Sequence, residues 1–227
     1  MRPVEKGACP INKKGKKVVF SKYKQARRYL IDRIGEYCSY CERKIESGLA
    51  VEHVQPKDSH KHLELEWDNF LLGCTNCNST KGKTDVVLSD YLWPHLDDTF
   101  SAFVYDGSGI VRVNAQQTSD LKVRAQRMID LCGLAKVQPK TNSRQWETAS
   151  DRRFEHRIQA WREAEKTVQT YKRANPMVRE RLVSLIQTIV VNQGFWSIWM
   201  HAFNDFKEVQ EMLIENFPGT RKVYFKS

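Results

Sequence analysis

Four of the six cysteines in this 227-residue chain fall into two C-x-x-C pairs, Cys38 with Cys41 and Cys74 with Cys77, separated by 32 residues. A C-x-x-C knuckle turns two thiolates toward one point, and two knuckles supply the four ligands of a tetrahedral structural Zn2+ site. This pattern requires the chain to close on itself, so the segment between Cys41 and Cys74 is a loop whose ends meet. The interval exceeds that of a compact zinc ribbon and has room for functional structure. A redox C-x-x-C would need only one pair beside a thioredoxin-like βαβ unit, and none is visible. Cys9 and Cys132 have no such spacing and read as lone thiols, Cys132 at a helix end.

Hydrophobic residues at 41% and charged residues at 28% describe a globular chain rather than a disordered or fibrous one. The longest apolar runs, "LVSLIQTIVV" and "FWSIWMHAF", are about half of a membrane-spanning helix and are cut by polar residues. The first residues, "MRPVEKGACPINKKGKK", lack the apolar core of a signal peptide, so a cytoplasmic location is expected, where cysteines serve as thiols or metal ligands. The net charge of +10 is uneven. Residues 1–44 hold 13 Lys or Arg against four Asp or Glu, whereas the remaining residues hold 24 against 23. A basic N-terminal arm on a balanced body marks a phosphate-rich partner, with a solubilising tail as the alternative. Lys13, Lys14, Lys16, Lys17, Lys24, Arg27 and Arg28 are the expected phosphate contacts.

Three regions follow from patterning: a basic arm and helix over residues 1–35, a module with a following hairpin over 36–118, and a helical region over 119–227. "SKYKQARRYLIDRIG" has Ser21 as the expected N-cap, Tyr23, Ala26, Leu30 and Ile34 on one face, and Gly35 as the stop. "LAVEHVQP" reads as a short strand closed by Pro56, and a short helix is expected from Thr75. "FVYDGSGIVRV" is a hairpin signal with Asp106 to Gly109 as its turn. A helix is expected from residue 119, capped by Ser or Asp and stopped at Gly133. A long charged helix is expected over 142–174, and another with Asn175 as cap and Pro176 at its first position. The last helical stretch opens with "GFWSIWMHAF", apolar on nearly every side, which suits either the centre of a helical core or a partly exposed docking surface.

A closed four-cysteine site leaves no open position for substrate, so chemistry must come from the segment between the knuckles. That segment reads "VEHVQP", then "WDNF", then "CNSTKG". Taken singly, His53 would be a core residue and Asn69 and Asn78 caps. Together, cysteine pairs bracketing Glu-His-x-x-Pro, Asn and Cys-Asn-x-x-Lys-Gly resemble the HNH endonucleases of ββα-metal fold. The resemblance covers residues 38–82. It implies an α+β fold, a ββα-metal nuclease module with a structural four-cysteine zinc site, here joined to a mainly α-helical C-terminal region. It implies His53 as general base, suited by an imidazole pKa near neutrality. Glu52 matches an acidic metal ligand, often Asp in relatives. Asn69 matches the asparagine that fixes the histidine loop, and Asn78 matches the second oxygen ligand of a catalytic Mg2+ or Mn2+. Lys81, one turn later, would reach a phosphate, and Gly82 would admit a close backbone. Adjacent strand residues face opposite sides, so Glu52 and His53 can share a site only through an irregular backbone or a ligand reached around an edge. His60 and His62 fall in a polar loop, with metal ligation as the alternative.

The flanks "YLIDRIGEYCSYCERKI" and "DYLWPHLDDTFSAFVYDGSG" are similar to the PtuB family of HNH proteins from Septu antiphage systems, some of which occur with retrons. This resemblance implies a nuclease working on DNA or RNA beside a PtuA-like ATPase of the ABC or SMC kind, and, where retrons are involved, a reverse transcriptase with its RNA and DNA. No membrane partner is implied. The alternatives are a zinc module that binds nucleic acid without cutting it, and an adaptor, which has no use for Glu52, His53, Asn69 and Asn78 together.

Overall fold

The computed structural model describes residues 1–137 and 151–225. Strands β1 (Ala50–His53) and β2 (Phe70–Gly73) pair antiparallel in the register Ala50↔Gly73 to His53↔Phe70, and helix α2 (Thr75–Lys81) follows directly. β2 is "FLLG", apolar at consecutive positions, and it is buried along its whole length. α1 (Ala26–Ile34) packs on this hairpin through Ala26, Leu30 and Ile34, the i, i+4, i+8 positions of its inner face. α4 (Ser119–Cys132) packs on α2 and buries Ala125, Met128, Ile129 and Cys132. Between them lie the short α3 (Thr99–Ala102) and the hairpin of β3 (Phe103–Val104) with β4 (Arg112–Val113), where the Asp106 carboxylate and carbonyl accept from the Ser108 and Gly109 amides. The chain is thus α+β, a ββα unit set in helices.

The C-terminal region comprises α5 (Arg153–Arg173), α6 (Pro176–Gln193), α7 (Trp196–Ala202) and α8 (Lys207–Asn216). Asn175 caps α6 as expected, its Oδ1 accepting from the Val178 amide at 3.0 Å with Pro176 at the first position. Residues 142–150 of the expected long helix lie outside the described residues. The apolar stretch around α7 is internal. Phe195 and Ile198 face a core shared with the ββα unit, while Trp196, Trp199, Met200 and Phe203 face a second core against α5, α6 and α8. All six are at most 4% exposed, so α7 is the wall between two cores and not a docking surface.

Two cap assignments differ from the sequence reading. α1 begins after a single 3-10 turn over Tyr23–Gln25, and the Gln25 side chain, not Ser21, accepts from the Ser21 and Lys22 amides at 3.0 and 3.2 Å. α4 is capped one residue early, by Thr118. Gly133 ends α4 in the left-handed region at φ 60°. The start of the chain also departs from a free arm. Met1, Arg2, Val4 and Lys6 are buried, Val4 bridges Thr220, and the Arg2 guanidinium donates to the Ile34 carbonyl at 2.9 Å. Apolar Met1 and Val4 leave water, and the two cations follow because backbone carbonyls await them. Residues 11–17 stand out as a basic projection, a turn closed by the Ile11–Lys17 bridge in which Asn12 Oδ1 accepts from the Lys14 and Lys16 amides.

Candidate active site and metal-binding cysteines

The two knuckles meet. Cys38, Cys41, Cys74 and Cys77 are all buried, and their sulfurs lie within 4.8 Å of one another, with Cys41 Sγ 3.7 Å from Cys74 Sγ. A tetrahedral tetrathiolate with Zn–S bonds near 2.3 Å has sulfurs roughly 3.8 Å apart, so the cluster fits a metal such as zinc. Two of the sulfurs already accept from backbone amides, Cys38 Sγ from Cys74 N and Cys74 Sγ from Cys77 N, as the N-terminus of α2 turns past them. Burial pushes the thiols of Cys38 and Cys77 well above their ordinary value, whereas hydrogen bonds from the neighbouring sulfurs pull Cys74 down.

His53 ends β1 on the rim of a pocket of about 200 Å3 that Tyr23, Glu52, Lys57, Asn78 and Lys81 also line. Its Nε2 lies 3.0 Å from the Glu64 carbonyl. A carbonyl only accepts, so Nε2 carries the proton and Nδ1 is left as the basic nitrogen. The ring is gripped edge to face by Tyr23 and Phe70, at centroid distances of 4.9 and 5.3 Å. Burial lowers the His53 pKa below its ordinary 6.5, with Lys57 and Lys81 acting in the same direction, so the imidazole is neutral at physiological pH.

Asn69 holds the turn after His53 from across the hairpin. Its Oδ1 accepts from the Gln55 amide at 2.8 Å, its Nδ2 donates to the Gln55 and Leu63 carbonyls, and its own carbonyl accepts from Val54. The turn bearing Asn69 is pinned in turn by Lys6, whose ammonium donates to the carbonyls of Trp67, Asp68 and Phe70, each at 2.8 Å. All three ammonium protons are thereby satisfied.

Glu52 points inward and is 3% exposed. Its Oε1 pairs with the Lys81 ammonium at 2.8 Å and its Oε2 accepts from the Tyr40 hydroxyl. Burial raises its pKa, and Lys81 opposes that rise. Lys81 also donates to the His53 carbonyl at 2.8 Å and is 1% exposed. Expected to reach a phosphate, it is instead the buried counter-ion of Glu52, because the turn of α2 that carries it packs under β1. Gly82 takes φ 55° as the C-cap of α2. Asn78 lines the pocket one turn before Lys81, its side chain without a hydrogen bond among the described residues. Glu52 and Asn78 approach because Gly73 lies between them. A Cβ there would stand 3.0 and 3.1 Å from Cβ and Cγ of Glu52 and 3.8 Å from Cβ of Asn78. A carboxylate and an amide oxygen are hard donors of the kind Mg2+ or Mn2+ takes, but both Glu52 oxygens are engaged by Lys81 and Tyr40.

The remaining candidates fall outside the pocket lining. Lys13, Lys14, Lys16, Lys17, Lys24 and Arg28 are exposed, and Arg27 is half-buried. The lysines that line the pocket itself are Lys57, Lys81 and Lys83. His60 pairs with Asp85 at 2.7 Å, and His62 stacks edge to face on His60. Two contributors escape a reading of the sequence alone. Tyr23 reads there as one more apolar face position, since helical spacing cannot tell a core contact from a catalytic one. Gly73 carries a usable signal, because glycine inside a strand pattern marks a close approach.

A ββα hairpin between paired knuckles, with a tautomer-fixed histidine at the end of its first strand, decides the type of module. Residues 38–84 match the HNH endonuclease family. The HNH module thus includes every cysteine of the cluster together with Glu52, His53, Asn69, Asn78 and Lys81. The chain is also similar to the Septu protein PtuB of Bacillus thuringiensis, 32% identical over 71 residues. That likeness covers 30% of this chain and 28% of the relative's length, so the chain matches well under a third of that relative.

Proposed function

We propose that the chain is an HNH endonuclease that hydrolyses phosphodiester bonds of nucleic acid, DNA before RNA, with Zn2+ in the four-cysteine site. The observation that carries this reading is His53: its Nε2 proton is held by the Glu64 carbonyl, so Nδ1 is free to take a proton from water beside two oxygen donors. Glu52 and Asn78 would hold Mg2+ or Mn2+, which when bound stabilises the leaving oxygen. Asn69 keeps the His53 loop in place, Tyr23 and Phe70 keep the ring from rotating, and Lys81 pairs with the Glu52 carboxylate. The likeness to a Septu protein supports a role in antiphage defence; to that role we add a PtuA-like ATPase as partner, a retron reverse transcriptase with its RNA and DNA as a further partner set, and a cytoplasmic location. No helix among the described residues is long and apolar enough to cross a membrane. The test is cleavage of plasmid DNA and of total RNA by the purified chain, alone and with the ATPase, in EDTA, Mg2+ or Mn2+. Cleavage restored by either metal supports the reading; equal cleavage in EDTA overturns it.

A second reading is favoured by one observation, that both Glu52 oxygens are already engaged by Lys81 and Tyr40. A zinc module that binds nucleic acid without cutting it would bind DNA and cleave in no metal, with or without its partner.

Two expectations follow at the pocket edge and the basic turn. Tyr23→Ala is expected to lower kcat about 3- to 10-fold with KM little changed, the worth of one edge-to-face contact, whereas Tyr23→Phe keeps the wild-type rate. Steady-state cleavage kinetics check this. Replacing Lys13, Lys14, Lys16 and Lys17 by glutamine is expected to flatten the slope of log affinity against log salt by up to about 3 to 4, near 0.9 per lost phosphate contact. Binding titrations from low to high salt check it, and an unchanged slope removes these lysines from the interface.

A further inference from the structure

Arg153 and Arg157 lie one turn apart on α5, and each is 2% exposed. Arg153 Nη1 donates to Cys77 Sγ at 3.0 Å and to the Cys132 carbonyl at 2.8 Å, and its Nη2 donates to the Gly133 carbonyl at 3.1 Å. Asp151 accepts from its other edge, through Nη2 at 2.7 Å and Nε at 2.8 Å. Arg157 donates to the Gly109 and Leu134 carbonyls at 2.6 and 2.7 Å, while its Nη1 is buried with no hydrogen-bond partner among the described residues. Burial pulls Arg157 below its ordinary value. Guanidiniums stripped of water need opposite charge close by. Asp151 supplies part of that charge to Arg153; protonated thiols would supply none, and the carbonyls around Arg157 supply only dipoles.

A dication bound by four thiolates leaves a net charge of −2, facing two guanidiniums of which one is also paired with Asp151. We propose that Arg153, through its bond to Cys77 Sγ, and Arg157, buried one turn along the same helix, form the cationic outer side of a divalent tetrathiolate centre at Cys38, Cys41, Cys74 and Cys77, so that α5 docks onto the HNH module through its metal. The inference rests on the reading of the four cysteines as a metal site. It adds a coupling between the two halves of the chain, because α5 buries Ala160 in the core of the module and Ala164 in the core of the C-terminal helices. Metal loss then leaves Arg157 uncompensated and Arg153 with Asp151 alone, and it loosens the C-terminal helices as well as the knuckles.

The test uses the full chain. Metal content is measured by mass spectrometry, and release is timed against a pyridylazo-resorcinol chelator for wild type, Arg153→Met, Arg157→Met, Arg153→Lys and Ala164→Gly. The last variant weakens α5 away from the cysteines. Release is expected to quicken about 10- to 100-fold in the two Met variants, the usual effect of removing an outer partner of a metal ligand. It is expected to quicken less in Arg153→Lys and to stay at the wild-type rate in Ala164→Gly. Hydrogen exchange on the wild type is expected to show α5 amides losing protection in step with metal loss, and this arm decides alone where a Met variant does not fold. Met variants that release metal at the wild-type rate, an equal acceleration in Ala164→Gly, or an α5 still protected after metal removal would each overturn the coupling while leaving the metal site standing. A wild-type chain purified without stoichiometric metal overturns both.

Discussion

The Cys77→Ser chain is expected to purify with far less than one metal ion per chain and to lose its cooperative thermal transition. The four cysteines tie the two ends of the HNH loop to each other through one small group, and each is buried where a bare hydroxyl has nothing to gain. Binding of a structural zinc contributes about 10–16 kcal/mol to small metal-dependent folds, against a whole-domain stability of about 5–15 kcal/mol, so losing one of four ligands removes a term as large as the fold itself. Cys77 carries a further contact, because its sulfur accepts from the Arg153 guanidinium at 3.0 Å. Metal analysis and a circular-dichroism melt check this. A serine variant that melts like the wild type would mean that the cysteines are merely buried thiols.

His53→Ala is expected to do the opposite, leaving the fold and removing the chemistry. The ring is half-buried and makes a single hydrogen bond, to the Glu64 carbonyl, which water can take over when the ring is gone. Its truncation leaves Asn69 with all its bonds to Gln55 and Leu63 and leaves the buried pair of Glu52 with Lys81 untouched. A positioned general base contributes about 10²–10⁴-fold to rate, and alanine has no group that replaces it. The loss should therefore appear in kcat, with metal content and melting close to wild type.

Much of this site is legible in the sequence because its chemistry is written in residue types at short spacing. Two C-x-x-C pairs have one economical use, and the His53 strand with Asn69 opposite follows from an antiparallel hairpin that brings residues 53 and 70 into register. Capping residues are nearly as readable, since Asn175 with Pro176 and Gly133 act within one turn of chain. Contacts made across long separations are not. Lys81 reads as a free cation one turn past Asn78, yet its destination depends on which face of α2 lies under β1. The basic start of the chain reads as detached, yet Arg2 and Lys6 find carbonyls near residues 34 and 68 that only the folded hairpin and α1 assemble. Arg153 and Arg157 sit in a stretch dense in charge, where nothing local distinguishes a buried guanidinium from a solvated one.

If His53 is the base of a metal-dependent phosphodiesterase, the most direct measurement is the single-turnover rate of nucleic-acid cleavage by wild type and by His53→Ala, at matched zinc content. Both are assayed in saturating Mg2+ or Mn2+ with the partner ATPase present. The expected result is a fall of at least about 100-fold for the variant, with nucleic-acid binding retained. A folded, metal-loaded His53→Ala chain that cleaves at the wild-type rate would contradict it.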